Sequence, residues 1–558
     1  MAPGTTPDPP GLAGDLGINW DDVYGEGIAT ETPHMHTEPG LCKTNIDRVA
    51  SSFPLVIRAA KTDGADFSGL WADANIEPAR DIYRVCPLMA VPDRTAESFC
   101  HNCLESAQEF GSKNNAPSKT CTGCKAARFC SKECQKSAWA QFHKDECKVL
   151  QKSPMMTPQH LMAHRLLFWQ NRGKLSNLVG KSLRLLETHF VDFQQDPDRA
   201  NDLLDVAVAV REATGSKVNL AVAWKLVPAM RINCVRLRHP SLKETAGFAY
   251  DTVTAMINHS CDPNAILFFE GRELRLRSLK KINAGTEITI SYIDPTLTVS
   301  SRQTLLQREY FFDCHCKRCK SEITQERWLA TKGENGWPAL LQAQEDIRRL
   351  IRGAVRASKY PGIYPAFEDL PTVETKLRTI ISNALPQDKP WPEHMEPLPS
   401  ARLSMALLYL QQDKPIRALR SALTGKLLST RIDPGGAEWV NEMFDVVVTS
   451  LVAAGSVPPD AAALEDKKFP KLEDIRTMAY GYLLATHRGA EKAFGEYSNY
   501  TLEIKAMLDD MVKKKPDDGA TPGTSKFASH FAAAQKRTLA WAGVPKQHGI
   551  TLSVCGRS

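Results

Sequence analysis

The 558-residue chain lacks any apolar run near the ~20 residues that a membrane-spanning helix needs. Its N-terminus also lacks the basic and then apolar pattern of a signal peptide. We therefore expect no membrane partner and an intracellular, reducing compartment. The formal net charge of +6 is small for this length, and no segment concentrates basic residues on one face. This balance argues against direct nucleic-acid binding. The chain is longer than the ~250–300 residues at which single cores stop growing, so several domains are expected.

The fifteen cysteines carry more information than the rest of the composition. They fall into close pairs, and without a signal peptide this spacing indicates metal ligands rather than disulfides. Residues 100–147 contain eight soft ligands: Cys100, Cys103, Cys121, Cys124, Cys130, Cys134, His143 and Cys147. Eight ligands are enough for two closed tetrahedral zinc sites, and closed sites have a structural role rather than a catalytic one.

A third metal site is predicted further along the chain. Cys314, Cys316 and Cys319 offer three thiolates, whereas a structural zinc takes four ligands. Cys261 is the candidate for the fourth, and it lies in the polar turn Asn-His-Ser-Cys-Asp-Pro-Asn at 258–264. A zinc ion bound by these four residues would pin the turn against the segment that follows it. Between them lies a strand-like run, 285–292, which ends in a tyrosine.

Hydrophobic periodicity predicts the remaining elements. Strands are predicted at 53–58, 82–92 and 287–292, and a hairpin over 266–279 with its turn at Glu270–Gly271. Helices are predicted at 132–144, 159–169 and 202–211. After residue 322 we expect amphipathic helices at 340–356, 373–384, 400–411, 439–454, 472–486, 500–514 and 526–542. Residues 1–52 are rich in Pro, Gly, Thr and Asp and are predicted to be disordered.

The turn at 258–264, the run Gly-Thr-Glu-Ile-Thr-Ile-Ser-Tyr at 285–292 and the CxCxxC segment with its lead-in Tyr310-Phe311-Phe312 resemble the core of SET-domain lysine methyltransferases. With the cysteine array, the chain is similar to the SET and MYND family. The resemblance implies an α+β fold: a SET-domain β-fold with an inserted MYND zinc finger and a cysteine-rich post-SET segment, then an all-α, tetratricopeptide-like C-terminal domain. The implied boundaries are 1–52 for the tail, 53–99 for the first SET part, 100–147 for the finger, 148–232 for a helical SET insertion, 233–296 for the C-terminal SET core, 297–322 for the post-SET zinc segment and 323–558 for the helical domain.

The resemblance also implies roles for single residues. Tyr292 is expected to be the catalytic tyrosine beside the transferred methyl group and, with Tyr310, to line the channel for the substrate lysine. The residues expected to bind the cofactor are Asn258, His259, Asn233, Gly69, Leu70, Trp71 and Phe312. The zinc ligands of the finger would interleave, with Cys100, Cys103, Cys130 and Cys134 on one ion and Cys121, Cys124, His143 and Cys147 on the other.

The implied function is S-adenosylmethionine-dependent N-methylation of lysine in histone or non-histone proteins, with three structural zinc ions. By the same resemblance, the finger would bind proline-rich peptides, and we expect a monomer found in nucleus and cytoplasm. One position departs from the family pattern, since Phe67 stands where the first glycine of a Gly-x-Gly turn is usual. It supports an alternative, a catalytically weak scaffold or transcriptional co-regulator that acts through protein binding. A zinc-dependent DNA-binding regulator is a further alternative that the modest charge disfavours.

Overall fold

The computed structural model describes most of the chain. The described residues are 55–62, 65–93, 99–106, 119–153, 156–171, 186–215, 219–238, 245–330, 336–359, 369–385, 390–429, 436–458, 468–513 and 524–552. The 1–52 tail lies outside them. Among these ranges, no helix combines the length and the apolar character that crossing a membrane requires.

Short strands build the β part of the fold. They are β1 (Leu55–Thr62), β2 (Ala65–Ala72), β3 (Asp81–Val85), β4 (Met89–Pro92), β5 (Lys119–Thr120), β6 (Arg128–Phe129), β7 (Val235–Arg238), β8 (Thr245–Tyr250), β9 (Asn258–His259), β10 (Ala265–Glu270), β11 (Glu273–Ser278) and β12 (Thr289–Ile290). The antiparallel sheets have the orders β1-β2, β10-β11-β3, β4-β8-β7 and β5-β6, whereas β9 and β12 pair in parallel. Strands far apart in sequence are therefore neighbours, and the finger and helices between β4 and β7 are an insertion.

The predicted hairpin at 266–279 is confirmed as β10 and β11. Its turn contains Gly271, whose φ of +54° suits a residue without a side chain. On β11 alternate residues are buried, so Leu274 and Leu276 enter the core while the arginines between them face outward. The predicted strand at 82–92 is divided instead. It breaks at Pro87 into β3 and β4, which belong to different sheets, because proline has no N–H to donate to a ladder.

The finger packs a short helical unit against the β5–β6 ribbon. The helix predicted at 132–144 is present as α1 (Lys132–Ala138) and continues through a π-helical turn (Trp139–His143) into α2 (Lys144–Lys152). The Ser131 side chain accepts a hydrogen bond from the Cys134 amide at 3.1 Å and caps α1. His143 and Cys147 are four residues apart, so a helical backbone turns them toward the same side.

In the described part of the chain, the finger is followed by the helices α3 (Pro158–Asn171), α4 (Phe190–Gln194), α5 (Pro197–Thr214) and α6 (Leu220–Asn233). The helices predicted at 159–169 and 202–211 are thus confirmed as α3 and α5. A buried ion pair joins this group to the finger, because Arg165 Nε lies 2.6 Å from Glu146 Oε1 on α2. Finger cysteines, these helices and Met89 and Val91 of β4 share one hydrophobic core. The finger and these helices are therefore packed against the sheet that contains β4.

The C-terminal part is helical. Its helices are α7 (Val299–Tyr310), α8 (Lys317–Ala330), α9 (Gly336–Lys359), α10 (Leu370–Ala384), α11 (Leu398–Gln411), α12 (Pro415–Leu427), α13 (Ala437–Ser456), α14 (Leu472–Phe494), α15 (Asn499–Lys513) and α16 (Ser525–Ala542). All seven helices predicted after residue 322 are confirmed, whereas α8 and α12 were not predicted. Polar contacts dock this region on the β10–β11 hairpin. The Asn499 amide donates to Glu270 Oε1 at 2.7 Å, and Arg277 Nε donates to the Lys492 carbonyl at 2.9 Å.

Candidate active site and metal centres

The eight ligands of the finger separate into the two interleaved groups that were expected. Cys100, Cys103, Cys130 and Cys134 form one cluster, and Cys121, Cys124, His143 and Cys147 form the other. Within each cluster all ligand atoms lie within 4.8 Å of one another. Distances such as 3.6 Å between the Sγ atoms of Cys103 and Cys130 suit tetrahedral thiolate ligands around one small ion. Both clusters fit closed zinc sites.

The third cluster joins Cys261 to Cys314, Cys316 and Cys319, again within 4.8 Å. Positive charge surrounds it. The fully buried Arg302 guanidinium lies 3.6 Å from Cys319 Sγ and 2.7 Å from a Glu322 oxygen, and Arg318 donates to the Cys261 carbonyl at 2.9 Å. Four thiolates exceed the charge of a divalent ion, so buried cations close to the sulfur atoms stabilise the loaded site. The cluster fits a third structural zinc.

A polar cradle lies where β2 meets the residues before β12. The Ile288 amide donates to the Leu70 carbonyl at 2.7 Å, which brings Glu287 over Gly69. Asn258 Nδ2 donates to Glu287 Oε1 at 2.7 Å. A Cβ atom on Gly69 would lie 2.6 Å from that same oxygen, so only glycine leaves this space open. Trp71 Nε1 is buried here with no hydrogen-bond partner, a donor that a polar ligand would satisfy.

His259 connects this cradle to the third metal cluster. Its Nδ1 accepts a hydrogen bond from the Tyr292 amide at 3.0 Å, so the ring proton is on Nε2, 3.2 Å from Cys261 Sγ. The Tyr292 hydroxyl donates to the Ile257 carbonyl at 2.6 Å. Both ends of Tyr292 are therefore fixed by the segment that also carries Asn258. Burial, with Tyr310 and Glu287 nearby, raises the pKa of the Tyr292 hydroxyl above its ordinary value, so it stays protonated.

Tyr292 and Tyr310 lie at a cleft that is partly open to solvent. Their ring centroids are 4.9 Å apart. The rest of the lining comes from α6 and β7, the turn at 254–257, the start of β10, and Glu438 at the beginning of α13. Burial raises the pKa of the Tyr310 hydroxyl, and the neighbouring Arg236 guanidinium opposes that rise. The cleft thus has an aromatic pair at one end and arginine side chains along one wall.

The other residues expected at the site are placed in different ways. Asn233 lines the cleft, but its Nδ2 donates to the Glu187 and Ala229 carbonyls, so only its oxygen remains for a ligand. Leu70 is a core side chain, 1% exposed, and only its backbone faces the cradle. The Phe312 ring lies 5.8 Å from that of His259. Phe67 pairs with Ala60 on β1, but its side chain is outside the described part of the structure.

Sequence reasoning missed several residues that the structure brings to the site. Glu287 lies inside the recognised run at 285–292, and Arg236 follows Asn233 by three residues, so both had a local signal. Arg238 follows Arg236 by two residues on β7, and both line the cleft. Glu438 had no local signal in the sequence, because it lies 200 residues beyond Arg238. It reaches Arg238 only through tertiary packing, with 3.3 Å between Arg238 Nη1 and Glu438 Oε1.

Comparison with known proteins agrees with this arrangement. Residues 68–293, less than half of the chain, match the model of the SET domain. The chain is also 32% identical over 237 residues to "SET domain and MYND-type zinc finger protein 6" of Schizosaccharomyces pombe, covering 42% of this chain and 45% of the relative. These matches confirm the predicted resemblance, and the chain is a relative of the SET and MYND proteins.

Two further relatives carry enzyme names. "Histone-lysine N-methyltransferase SMYD3" of Homo sapiens is 27% identical over 292 residues, 51% of this chain and 66% of that protein. "Histone-lysine N-methyltransferase ASHR1" of Arabidopsis thaliana is 30% identical over 270 residues, 45% of this chain and 52% of that protein. The chain thus spans about half the length of the first of these relatives and at most two thirds of the others.

Proposed function

We propose that this chain is an S-adenosylmethionine-dependent protein-lysine N-methyltransferase that acts on histone or non-histone proteins. The observation that carries the proposal is the hydrogen bond of 2.6 Å from the Tyr292 hydroxyl to the Ile257 carbonyl. It holds the phenol where the Gly69 cradle adjoins the cleft that contains Tyr310. The names of the relatives from Homo sapiens and Arabidopsis thaliana support the same activity.

Asn258, His259, Trp71 and Glu287 would hold the cofactor, with space left by Gly69. Bound S-adenosylmethionine would supply the methyl group. The chain's own part is positioning and desolvation, and a well-aligned pair of reactants is worth up to ~7–11 kcal/mol. The Tyr292 and Tyr310 rings, which contact each other, would exclude water from a lysine side chain packed beside them. This desolvation lowers the pKa of the lysine ammonium and favours the neutral amine that attacks. Tyr292 itself stays protonated and is therefore not the base.

We also propose binding partners, an oligomeric state and a location for the protein. The finger presents Trp139, which is 43% exposed, on its π-helical turn, and such an aromatic surface suits proline-rich peptides. The helical C-terminal region is proposed to select partners as well. We further propose that the protein is a monomer, acts in nucleus and cytoplasm, and does not bind nucleic acid directly.

Calorimetric titration of zinc-replete protein with S-adenosylmethionine tests the activity class. We expect saturable one-to-one binding that Asn258→Ala weakens at least roughly tenfold, because the variant removes a donor from the cradle. Asn383→Ala, at an exposed position of α10, is the matched control and should bind as the parent does. Folded protein that binds no cofactor would refute the proposal. It would favour the scaffold alternative, which the departure from the family pattern at Phe67 of β2 supports.

A further inference from the structure

One wall of the cleft carries a positive charge that the fold does not neutralise. Arg236 and Arg238 are alternate residues of β7, the edge strand of its sheet, and both side chains line the cleft. Arg238 is satisfied, because Glu438 lies 3.3 Å from it and the Ile293 carbonyl accepts from its Nη2 at 2.7 Å. Arg236 and Arg238 carry the same charge, but the structure pairs Arg238 with a carboxylate.

Arg236 has no ion-pair partner among the described residues. Its Nε is buried and makes no hydrogen bond. The carboxylates closest to this wall are committed elsewhere, since Glu438 pairs with Arg238, and Glu309 pairs with Arg231 at 3.0 Å and with Arg308 at 2.7 Å. A partly buried guanidinium that lines a cleft without an ion-pair partner is a favourable partner for an incoming carboxylate, because ionised hydrogen bonds are the stronger kind.

We propose that Arg236 recognises an acidic side chain of the protein substrate close to the methylated lysine. The proposal rests on the proposed function and names a substrate preference for the same cleft. The Arg236 guanidinium lies against the Tyr310 hydroxyl, and the Tyr310 ring is 4.9 Å from that of Tyr292. An extended peptide advances ~3.3 Å for each residue, so the acidic side chain belongs within about two positions of the lysine.

The test uses zinc-replete full-length protein, labelled S-adenosylmethionine and peptide pools with one fixed lysine. In each pool one position, from two before to two after the lysine, is fixed as Glu, Gln or Lys. We expect the best Glu pool to be methylated roughly tenfold faster than its Gln partner, the size of one screened charge-assisted hydrogen bond. Arg236→Ala should remove the difference between Glu and Gln, and Arg236→Glu should shift the preference to Lys.

Arg84→Ala is the matched control. It removes the same charge from a surface arginine outside the cleft, one that pairs with Glu273. The Glu preference should survive there, which separates local recognition from a change in net charge. The measured quantity is the ratio of the methylation rates of the Glu and Gln pools. If Arg236→Ala disturbed Tyr310 and slowed methylation of every pool, this ratio would not change.

Each outcome decides the matter. Methylation with no Glu preference, or with a preference that survives in Arg236→Ala, overturns the proposal while the methyltransferase function stands. Methylation of no pool by protein that binds the cofactor refutes the proposed function, and the role of Arg236 falls with it.

Discussion

Replacing Gly69 by alanine tests the cofactor cradle most directly. The added Cβ would lie 2.6 Å from Glu287 Oε1 and 3.1 Å from both Asn258 Nδ2 and Trp71 Nε1. Ordinary contact begins near 3.4 Å, so the carboxylate must retreat by about 0.8 Å. That shift is larger than the ~0.5 Å range in which most N–H···O bonds are found, so we expect the bond of 2.7 Å from Asn258 to be lost.

The size of the effect follows from that bond. A net loss of about 1–1.5 kcal/mol for one hydrogen bond corresponds to roughly tenfold weaker binding of S-adenosylmethionine. The φ angle of Gly69 is not in the left-handed region, so alanine adopts the same backbone without strain. Glycine-to-alanine changes also stabilise by about 0.4–1 kcal/mol through the unfolded chain. The melting temperature should therefore move little while the affinity falls.

Calorimetric titration with S-adenosylmethionine, together with a thermal melt, measures both quantities. Gly353→Ala is the control, because it lies at an exposed position inside α9 with nothing within 4 Å of an added Cβ. This variant should keep the parent affinity and gain slightly in stability. Affinity within twofold of the parent in Gly69→Ala would refute the reasoning and remove the Gly69 cradle from the cofactor site.

Two further changes test the third metal cluster and the insertion. Cys261→Ser should reduce the zinc content from three to about two ions per chain by elemental analysis, whereas Cys86→Ser, at an exposed cysteine outside the clusters, should retain three; three ions in the first variant would contradict the ligand assignment. Burial, and then the charge of Arg165, lowers the pKa of His164 to about 4, below its unfolded value of ~6.5, so this histidine's contribution is present above that value and is lost as the pH falls toward 4. Between pH 7.5 and 5.5 the parent should lose protection of α3 amides by about 1 kcal/mol more than His164→Leu does in hydrogen exchange, and equal losses would contradict the assignment.

The metal clusters could be predicted from the sequence because ligand type and spacing are local. Cys121 and Cys124 must lie together whatever surrounds them. The three thiolates of Cys314, Cys316 and Cys319 leave one of four zinc positions vacant, which pointed to Cys261. The hairpin at 266–279 was also a local inference, because alternation and a glycine turn are sufficient for it. Helix α12 was missed although Pro415 suits a first helical turn, since only three residues separate its start from the end of α11.

The sequence could not predict hydrogen bonds and ion pairs between residues that only tertiary packing brings together. The strand predicted at 287–292 is reduced to β12, because the Ile288 amide is taken by Leu70 of a distant strand. Arg236 and Arg238 read alike in the sequence, and they differ only because Glu438 of α13 reaches one of them. Periodicity reports which face of an element is buried, but it does not report which charges meet across domains.

The third zinc cluster has a consequence for the site that no single bond would have. Cys261 contacts His259, His259 holds the Tyr292 amide, and the Tyr292 hydroxyl returns to Ile257, two residues before His259. Each of these bonds contributes only about 0.5–1.5 kcal/mol net, so alone none would keep the phenol in place. A zinc ion fixes Cys261 against the segment from Cys314 to Cys319, and that same segment follows Tyr310 and Phe312. A zinc ion bound by this cluster would therefore order both the catalytic candidate and the aromatic residues beside it.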